Sequence, residues 1–459
     1  MAESAPETEP AWPAAIRAVS RWLEHGERLD TLLETRLHGL AGAERARAQQ
    51  LVLGVARHLG RIEAALRRLV PRQPRPLARA VLVMTGAELI AAGDREGRPA
   101  KIVHHAVGQA KLLLSSPEVK LINAVARKLA GVLAAQTEPT HGASAAEWAE
   151  FFSHPAWLVE RWRGQFGDDA ARALLVWDQT PGVMYARWRA AEAPPEWLQP
   201  AGWPGFFEAP AGRWADLEPL LAAGKFYLQD PSTRHAVGLL APQPGETVLD
   251  VCAAPGGKSL SIADTMQHGQ VVAVDLPGAR LARLRENLAR VPAGVKTALM
   301  EGDGRRLNAD SFRAQGLPEK FSAVLLDAPC SNSGVIRHRV DVKWRLQPGD
   351  FARHARQQVE LLVAAARFVA PGGRLVYSTC SLDAEENERV VAAFLADAGG
   401  ELNAAPSPAE LAGRHPNLTL ETPQQAAGNG SAFTLETQVL SRPPESGCDG
   451  AGVFLLRKK

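Results

Sequence analysis

Apolar positions recur at helical spacing through the first part of the chain. Ile16, Val19 and Leu23 form one such series, and Leu29, Leu33, Leu37 and Leu40 the next. Leu51, Val55 and Leu59, then Ile62, Leu66 and Leu69, continue the pattern until Pro71, Pro74 and Pro76 interrupt it. Further helices are predicted over Val81–Leu89, Ile102–Leu113 and Leu121–Leu133. Short connections between helices of this kind predict a small all-α domain.

The pattern changes twice after that. Residues 136–150 are polar and rich in Ala, Thr and Ser, as a linker would be, and a helical stretch follows from Trp157 to Trp177. Ala191–Trp214 is dense in Pro, Gly, Trp and Phe without periodicity and predicts irregular structure in a connecting domain. From Gly245 onward, apolar runs alternate with helical stretches, as a parallel sheet requires. The predicted strands are Thr247–Val251, Gln270–Val274, Lys296–Met300, Phe321–Leu326 and Arg374–Tyr377. Leu260–Met266, Ala279–Arg290 and Phe351–Val369 are the plainest helices, with Pro371-Gly372-Gly373 stopping the last. A Pro/Gly/Asn-rich stretch, Ala404–Gly430, precedes two strand-like runs, Phe433–Leu440 and Val453–Leu456. The expected organisation is an all-α domain over 1–140, a connecting domain over 141–228 and an α/β domain over 229–459.

Composition adds bounds. The chain has 459 residues, 46% hydrophobic and 22% charged, with a net charge of +2, as in ordinary soluble proteins. That charge is too mild to establish a nucleic-acid partner, so any basic surface must be local. Arginines 57, 61, 67, 68, 72, 75 and 79, set against the one acid Glu63, form either a solvated helix face or a phosphate-contacting stripe. Four cysteines without C-x-x-C spacing make neither a disulfide framework nor a zinc site, so no metal is expected. A reduced, cytoplasmic setting follows. Met1–Pro13 lacks the apolar core of a signal peptide, and no apolar run is long enough to span a membrane.

The candidate chemistry sits at the carboxyl edge of the predicted sheet, where ligands bind in such folds. Asp250, Asp275 and Asp327 end three strands, while Asp303 and Cys380 follow two others. Between the first strand and its helix runs Cys252-Ala253-Ala254-Pro255-Gly256-Gly257-Lys258-Ser259. Without a Cβ, its glycines let a ligand approach the backbone. A phosphate loop needs glycine where Cys252 stands, and the G-x-G-x-x-G dinucleotide fingerprint is absent. A phosphate-free adenosyl cofactor, with Asp275 on its ribose, fits better and favours S-adenosylmethionine.

Cys330 in Asp327-Ala328-Pro329-Cys330-Ser331 and Cys380 in Ser378-Thr379-Cys380-Ser381 lie at two such strand ends. A single cysteine in a sheet is usually small apolar filler. Two at active edges of one sheet point to thiolate chemistry. A thiolate that adds to C6 of cytosine makes C5 nucleophilic enough to take a methyl group from a sulfonium. A carboxyl group at N3 would stabilise the charge that develops.

At these residues the chain resembles the 5-methylcytidine RNA methyltransferases, over about Gln229 to the C-terminus. Gln229-Asp230-Pro231-Ser232, Asp341-Val342-Lys343-Trp344-Arg345 and Glu385-Glu386-Asn387-Glu388 extend the match. Leu121-Ile122-Asn123-Ala124-Val125-Ala126-Arg127 and the helices before it resemble a NusB-type RNA-binding domain. That layout is similar to the rRNA small-subunit methyltransferase B family. The resemblance implies a Rossmann-like S-adenosylmethionine-dependent methyltransferase domain preceded by an all-α NusB-like domain and a small connecting domain. It implies rRNA, or a partly assembled small ribosomal subunit, as partner, and a monomer away from membranes.

It also implies roles. Cys380 is the nucleophile, Cys330 assists release, and Asp327 contacts the cytosine near the cofactor. Cys252, Ala253, Ala254, Pro255, Gly256, Gly257, Lys258, Asp275, Asp303 and Asp327 hold the cofactor, with Asp303 near the adenine. The chain departs from the family pattern at Arg337-His338-Arg339-Val340, Asp449-Gly450-Ala451-Gly452, His104-His105 and Arg187-Trp188-Arg189. These departures bear on the RNA target, since none touches the cysteines or the turn. Alternatives are the same chemistry on another RNA such as tRNA, a DNA cytosine methyltransferase, and a non-catalytic RNA-binding assembly factor. Arg337, Lys343 and Arg345 are candidates for phosphate contact, and Trp344 for core packing.

Overall fold

The computed structural model describes residues 11–40, 42–93, 95–397 and 431–459; the predicted stretch 404–430 lies outside them. The described chain forms two compact units. One comprises residues up to Gly182 together with Ile336–Leu346, and the other Val183–Val335 with Gln347–Lys459.

The first unit is helical, as its periodicity predicts. Its helices are α1 (Ala11–His25), α2 (Leu29–Arg36), α3 (Gly42–Leu69), α4 (Pro76–Ala92), α5 (Arg98–Leu113), α6 (Ser116–Ala134), α7 (Ala145–Phe152), α8 (Ala156–Phe166) and α9 (Asp168–Gln179). Pro76 occupies the first turn of α4, where its missing N–H costs nothing. Ser115 with Glu118, and Ser144 with Glu147, build capping boxes that start α6 and α7. Trp12, Ile16, Val52, Val55, Ile62, Val81, Leu82 and Leu129 are among the side chains of one continuous core. Helices α7–α9 belong to this unit, so the expected connecting domain over 141–228 is split. The cause is local: Trp148, Phe152 and Trp162 are fully buried among helices.

The other half of that segment is not irregular. It forms a small antiparallel sheet of β1 (Tyr185–Trp188), β2 (Gln199–Pro200), β3 (Phe206–Glu208) and β4 (Phe226–Leu228), in the order β2-β3-β1-β4. With α10 (Trp214–Ala222), it closes over Ala186, Leu198, Leu217 and Phe226.

After α11 (Arg234–Leu240) the chain builds the main sheet. Its elements are β5 (Thr247–Val251), α12 (Gly257–Met266), β6 (His268–Asp275), α13 (Arg280–Leu288), β7 (Gly294–Glu301), α14 (Ala309–Arg313) and β8 (Phe321–Asp327). Then come α15 (Val342–Arg345), α16 (Pro348–Ala366), β9 (Val369–Thr379), α17 (Glu388–Asp397), β10 (Phe433–Ser441) and β11 (Ala451–Lys458). The strand order is β10-β11-β9-β8-β5-β6-β7. The strands β5 to β9 pair in parallel, and β11 and β10 add antiparallel on one edge. The predicted strands are all present. Helix α16 stops at Ala366, however, before Pro371-Gly372-Gly373, and β9 runs through that tripeptide with a shift in its pairing to β8.

The order fixes where a ligand can sit. From β5 the chain steps outward to β6 and β7, then returns to place β8 on the other side of β5. The carboxyl ends of β5 and β8 therefore flank a topological switch point, where diverging connections leave a crevice.

Residues Ile336–Leu346, which include α15, are part of the helical unit although β8 and α16 flank them in sequence. Lys343 Nζ donates to the Arg57 carbonyl at 3.0 Å, and Trp344 Nε1 to the Ala56 carbonyl at 2.7 Å. Asp341 accepts from the Leu29 N–H at 3.2 Å and from Arg345 at 2.8 Å. Arg337 donates to the Pro181 carbonyl and lies over the Trp177 ring. Arg337, Lys343 and Arg345 are thus engaged in internal contacts rather than presented as a free phosphate-binding loop, and Lys343 is fully buried. The arginine stripe is divided in the same way. Arg57 bonds the Arg337 carbonyl, Arg61 bonds Gln136, and Arg67, Arg75 and Arg79 pair with Glu150, Glu118 and Glu63.

Candidate active site

The turn after β5 is shaped by what packs beneath it. Cys252 adopts φ +64° and Gly256 φ +104°. A Cβ on Gly256 would stand 3.0 Å from Leu284 Cδ1 and 3.1 Å from Asn287 Cβ, and one on Gly257 2.8 Å from Tyr227 Cε1. The glycines are therefore required by close packing against α13 and the small sheet, a stronger constraint than the ligand access expected of them. Asn287 Nδ2 donates to the Pro255 carbonyl at 2.7 Å and holds the turn down. From the other side, Arg187 and Arg189 both pair with Asp264 on α12, which gives the departure at Arg187-Trp188-Arg189 a structural task.

Two acids line the turn. Asp275, 6% exposed, accepts from the Ala254 N–H at 2.7 Å and from the Leu276 N–H at 2.8 Å. Asp250 is fully buried; its Oδ2 accepts from Ser259 at 2.5 Å, while its Oδ1 has no hydrogen-bond partner among the described residues. Burial pushes its pKa up to about 7. Desolvation of half-buried Cys252, with the Asp275, Asp327 and Asp250 carboxylates around it, raises its thiol. Asp303, at the end of β7, is held below the usual carboxylate range by hydrogen bonds from Arg305.

Lys258 separates this turn from a phosphate loop. Its ammonium is 2.7 Å from Asp327 Oδ2. Burial lowers its pKa, but the Asp327 carboxylate outweighs that and the net shift is upward. Asp327 also accepts from Ser378 Oγ at 2.7 Å, across the β8–β9 pairing that sets Asp327 opposite Ser378. An orphaned buried acceptor, a second acid on the next strand and a lysine committed to a carboxylate fit an adenosyl group without phosphates.

The two cysteines meet. Cys330 Sγ and Cys380 Sγ are 3.3 Å apart. Their turns interlock: Cys380 Sγ contacts Asn332 Oδ1 at 3.3 Å, and Asn332 Nδ2 donates to the Cys330 carbonyl at 2.9 Å. The Gly334 N–H donates to the Cys380 carbonyl, and a Cβ there would approach that oxygen to 2.7 Å. Ser333 Oγ donates to Asp383 at 2.6 Å and sits 3.2 Å from Ser381 Oγ. The hydrogen bond to Cys380 and burial raise the Cys330 thiol well above its ordinary range. The Lys258 ammonium interacts electrostatically with Cys380.

Cys252–Lys258, Asp275, Asp327, Cys330 and Cys380 thus belong to turns at one sheet edge. Asn332, Ser333 and Ser378 were not singled out by sequence; their short polar side chains look like ordinary turn chemistry until the strand pairing aligns them.

The family model for 16S rRNA methyltransferase RsmB/F matches residues 237–421, and that for the NusB family residues 11–131. Ribosomal RNA small subunit methyltransferase B of Klebsiella pneumoniae is 34% identical over 416 residues, 86% of this chain and 92% of its own length. The enzyme of that name from Citrobacter koseri is 34% identical over 83% of this chain and 89% of its own. Among solved structures, PH0851 shares the fold with a TM-score of 0.69 at 22% identity, covering 99% of both chains. A methyltransferase homolog from Pyrococcus horikoshii has a TM-score of 0.50 at 23% identity, over 68% of this chain and 97% of its own.

Proposed function

Since the chain belongs to the ribosomal RNA small subunit methyltransferase B family, whose members are S-adenosylmethionine-dependent rRNA methyltransferases, we propose that it forms 5-methylcytidine in 16S rRNA through Cys380. The observation that carries this reading is the 3.3 Å sulfur pair beside the Lys258–Asp327 ion pair.

Cys380, as thiolate, attacks C6 of a cytosine that must be unpaired or flipped to reach it. The Lys258 ammonium interacts electrostatically with that sulfur. Asp327, held by Lys258 and Ser378, faces the ring and relays a proton from the Lys258 ammonium to N3 as the C6–S bond forms, taking it back on release, so that the charge developing at N3 is neutralised. The cofactor, when bound, supplies an electrophilic methyl group to the activated C5. With the cofactor bound, Asp275 would hold the ribose hydroxyls, the turn from Cys252 to Lys258 the remainder, and Asp303 the adenine. For release, C5 gives its proton to water and the C6–S bond breaks with its electron pair on Cys380. Cys330, a thiol that resists ionisation, donates its S–H to the departing sulfur.

The test uses two variants of the full chain with rRNA and radiolabelled cofactor. Cys380→Ala should abolish methyl transfer while cofactor binding persists, and Cys330→Ala should accumulate a covalent protein–RNA adduct on a denaturing gel. Turnover by Cys380→Ala, or no adduct with Cys330→Ala, would overturn this division of labour.

A further inference from the structure

Two nearly equivalent thiols in contact pose a problem: something must decide which one ionises. We infer that Glu386 is a positioning residue that holds Cys330 in its thiol form and so reserves the nucleophilic role for Cys380; this rests on the cysteine roles proposed above.

Glu386 is fully buried in the turn after β9, yet its carboxylate is not stranded. It accepts from the Ser331 N–H at 2.9 Å, from Ser331 Oγ at 2.5 Å and from Gln358 Nε2 at 3.1 Å. Burial pushes the Glu386 carboxyl above its ordinary range, while the donors that converge on it favour its ionised form. The first two come from the residue next to Cys330, and Gln358 also donates to the Pro329 carbonyl at 2.9 Å, on the other side of that cysteine. Tyr377 Oη donates to the Glu386 carbonyl at 2.5 Å and fixes its backbone.

The charges around the sulfur pair are consequently lopsided. Glu386 raises the Cys330 thiol through space, in addition to burial and the bond to Cys380. Lys258 pairs with Asp327 and interacts electrostatically with Cys380. Asp383 and Tyr377 also face Glu386: the Asp383 charge pushes the Glu386 carboxyl up, against the Ser331 donors that hold it down, and Tyr377 is held neutral by burial. The Glu386 charge close to Cys330 disfavours the thiolate of that cysteine. In the release step Cys330 then retains its proton, shared in an S–H···S bond, while Cys380 leaves with the C6–S electron pair.

The readout is the pH dependence of the covalent adduct in single-turnover reactions of the full chain with rRNA and S-adenosylmethionine. Glu386→Gln keeps the shape and removes the charge. It should lower the Cys330 pKa, so that release slows and adduct accumulates several-fold more than in the wild type as the pH is raised. Glu386→Asp keeps the charge and should retain the wild-type pH dependence even if slower. Ser331→Ala removes a donor that favours the ionised carboxylate, so it should shift adduct accumulation in the same direction as Glu386→Gln. A role in packing alone would lower activity equally at every pH, and that result for both Glu386→Gln and Ser331→Ala would overturn the inference. The Cys330→Ala adduct, run alongside, shows whether the cysteine roles themselves stand. If it forms and the pH dependence of Glu386→Gln does not move, the assignment to Glu386 alone falls.

Discussion

Cys330 and Cys380 sit at the ends of neighbouring strands with their sulfurs 3.3 Å apart, closer than two unbonded sulfurs ordinarily pack. Such a pair is set up for oxidation as well as for catalysis. Dilute hydrogen peroxide should convert it to a disulfide, with both thiol hydrogens leaving in water. Methyl transfer should fall by about tenfold or more and return on treatment with dithiothreitol. Peptide mapping without reductant checks the pairing. Cys330→Ser should lose the reversible crosslink, leaving Cys252 and Cys448 unpaired.

Lys258→Met should slow methyl transfer by about 10²-fold, since it removes the cation beside the reacting sulfur and leaves Asp327 without its partner. A loss of S-adenosylmethionine affinity with an unchanged single-turnover rate at saturating cofactor would point to cofactor binding instead.

Gly256→Ala should weaken S-adenosylmethionine binding by about tenfold and lower the melting temperature. Its φ of +104° and the 3.0 Å approach to Leu284 leave no room for a methyl group. Gly278→Ala, where a Cβ would meet nothing within 4 Å, is the silent control. Calorimetric titration with the cofactor and thermal melts separate the two effects.

His58 predicts acid sensitivity in the helical unit. Burial, with the charges of Lys343 and Arg57, pushes its pKa down to about 3. Between that value and its ordinary range near 6.5 the unfolded chain binds the extra proton and the folded one does not. Stability is therefore lost as pH falls through this window, by at most about 1.4 kcal/mol per unit. Melts at pH 7.5 and 5.5 should differ less in His58→Gln than in the wild type.

Much of this was legible in the amino-acid pattern, for identifiable reasons. β5, β6 and β8 are short apolar runs because both faces of a parallel sheet are covered, and acids at their ends stand out against that background. The helices of the first unit carry plain helical periodicity. What escaped depends on partners distant in sequence. β1, β3 and β4 are too short to show alternation, and their aromatic residues look the same in a loop. Arg57 and Lys343 look like surface charges until Arg57 is found bonded to the Arg337 carbonyl and Lys343 to the Arg57 carbonyl. Glu386 carries no sign of burial in its own run of acids; its burial depends on the turns after β8 and β9 that bring Ser331 to it.

The course of Ile336–Leu346 has a consequence for how this protein can be divided or recombined. The helical unit is completed by a peptide encoded within the catalytic half, through Val340 in its core and Trp344 packed against it. A cut between residues 182 and 183 would leave each fragment with an exposed apolar mismatch: a cleft on one and a stranded peptide on the other. Exchange of the front domain between relatives should therefore succeed when this peptide travels with it, and yield insoluble chimaeras when it does not.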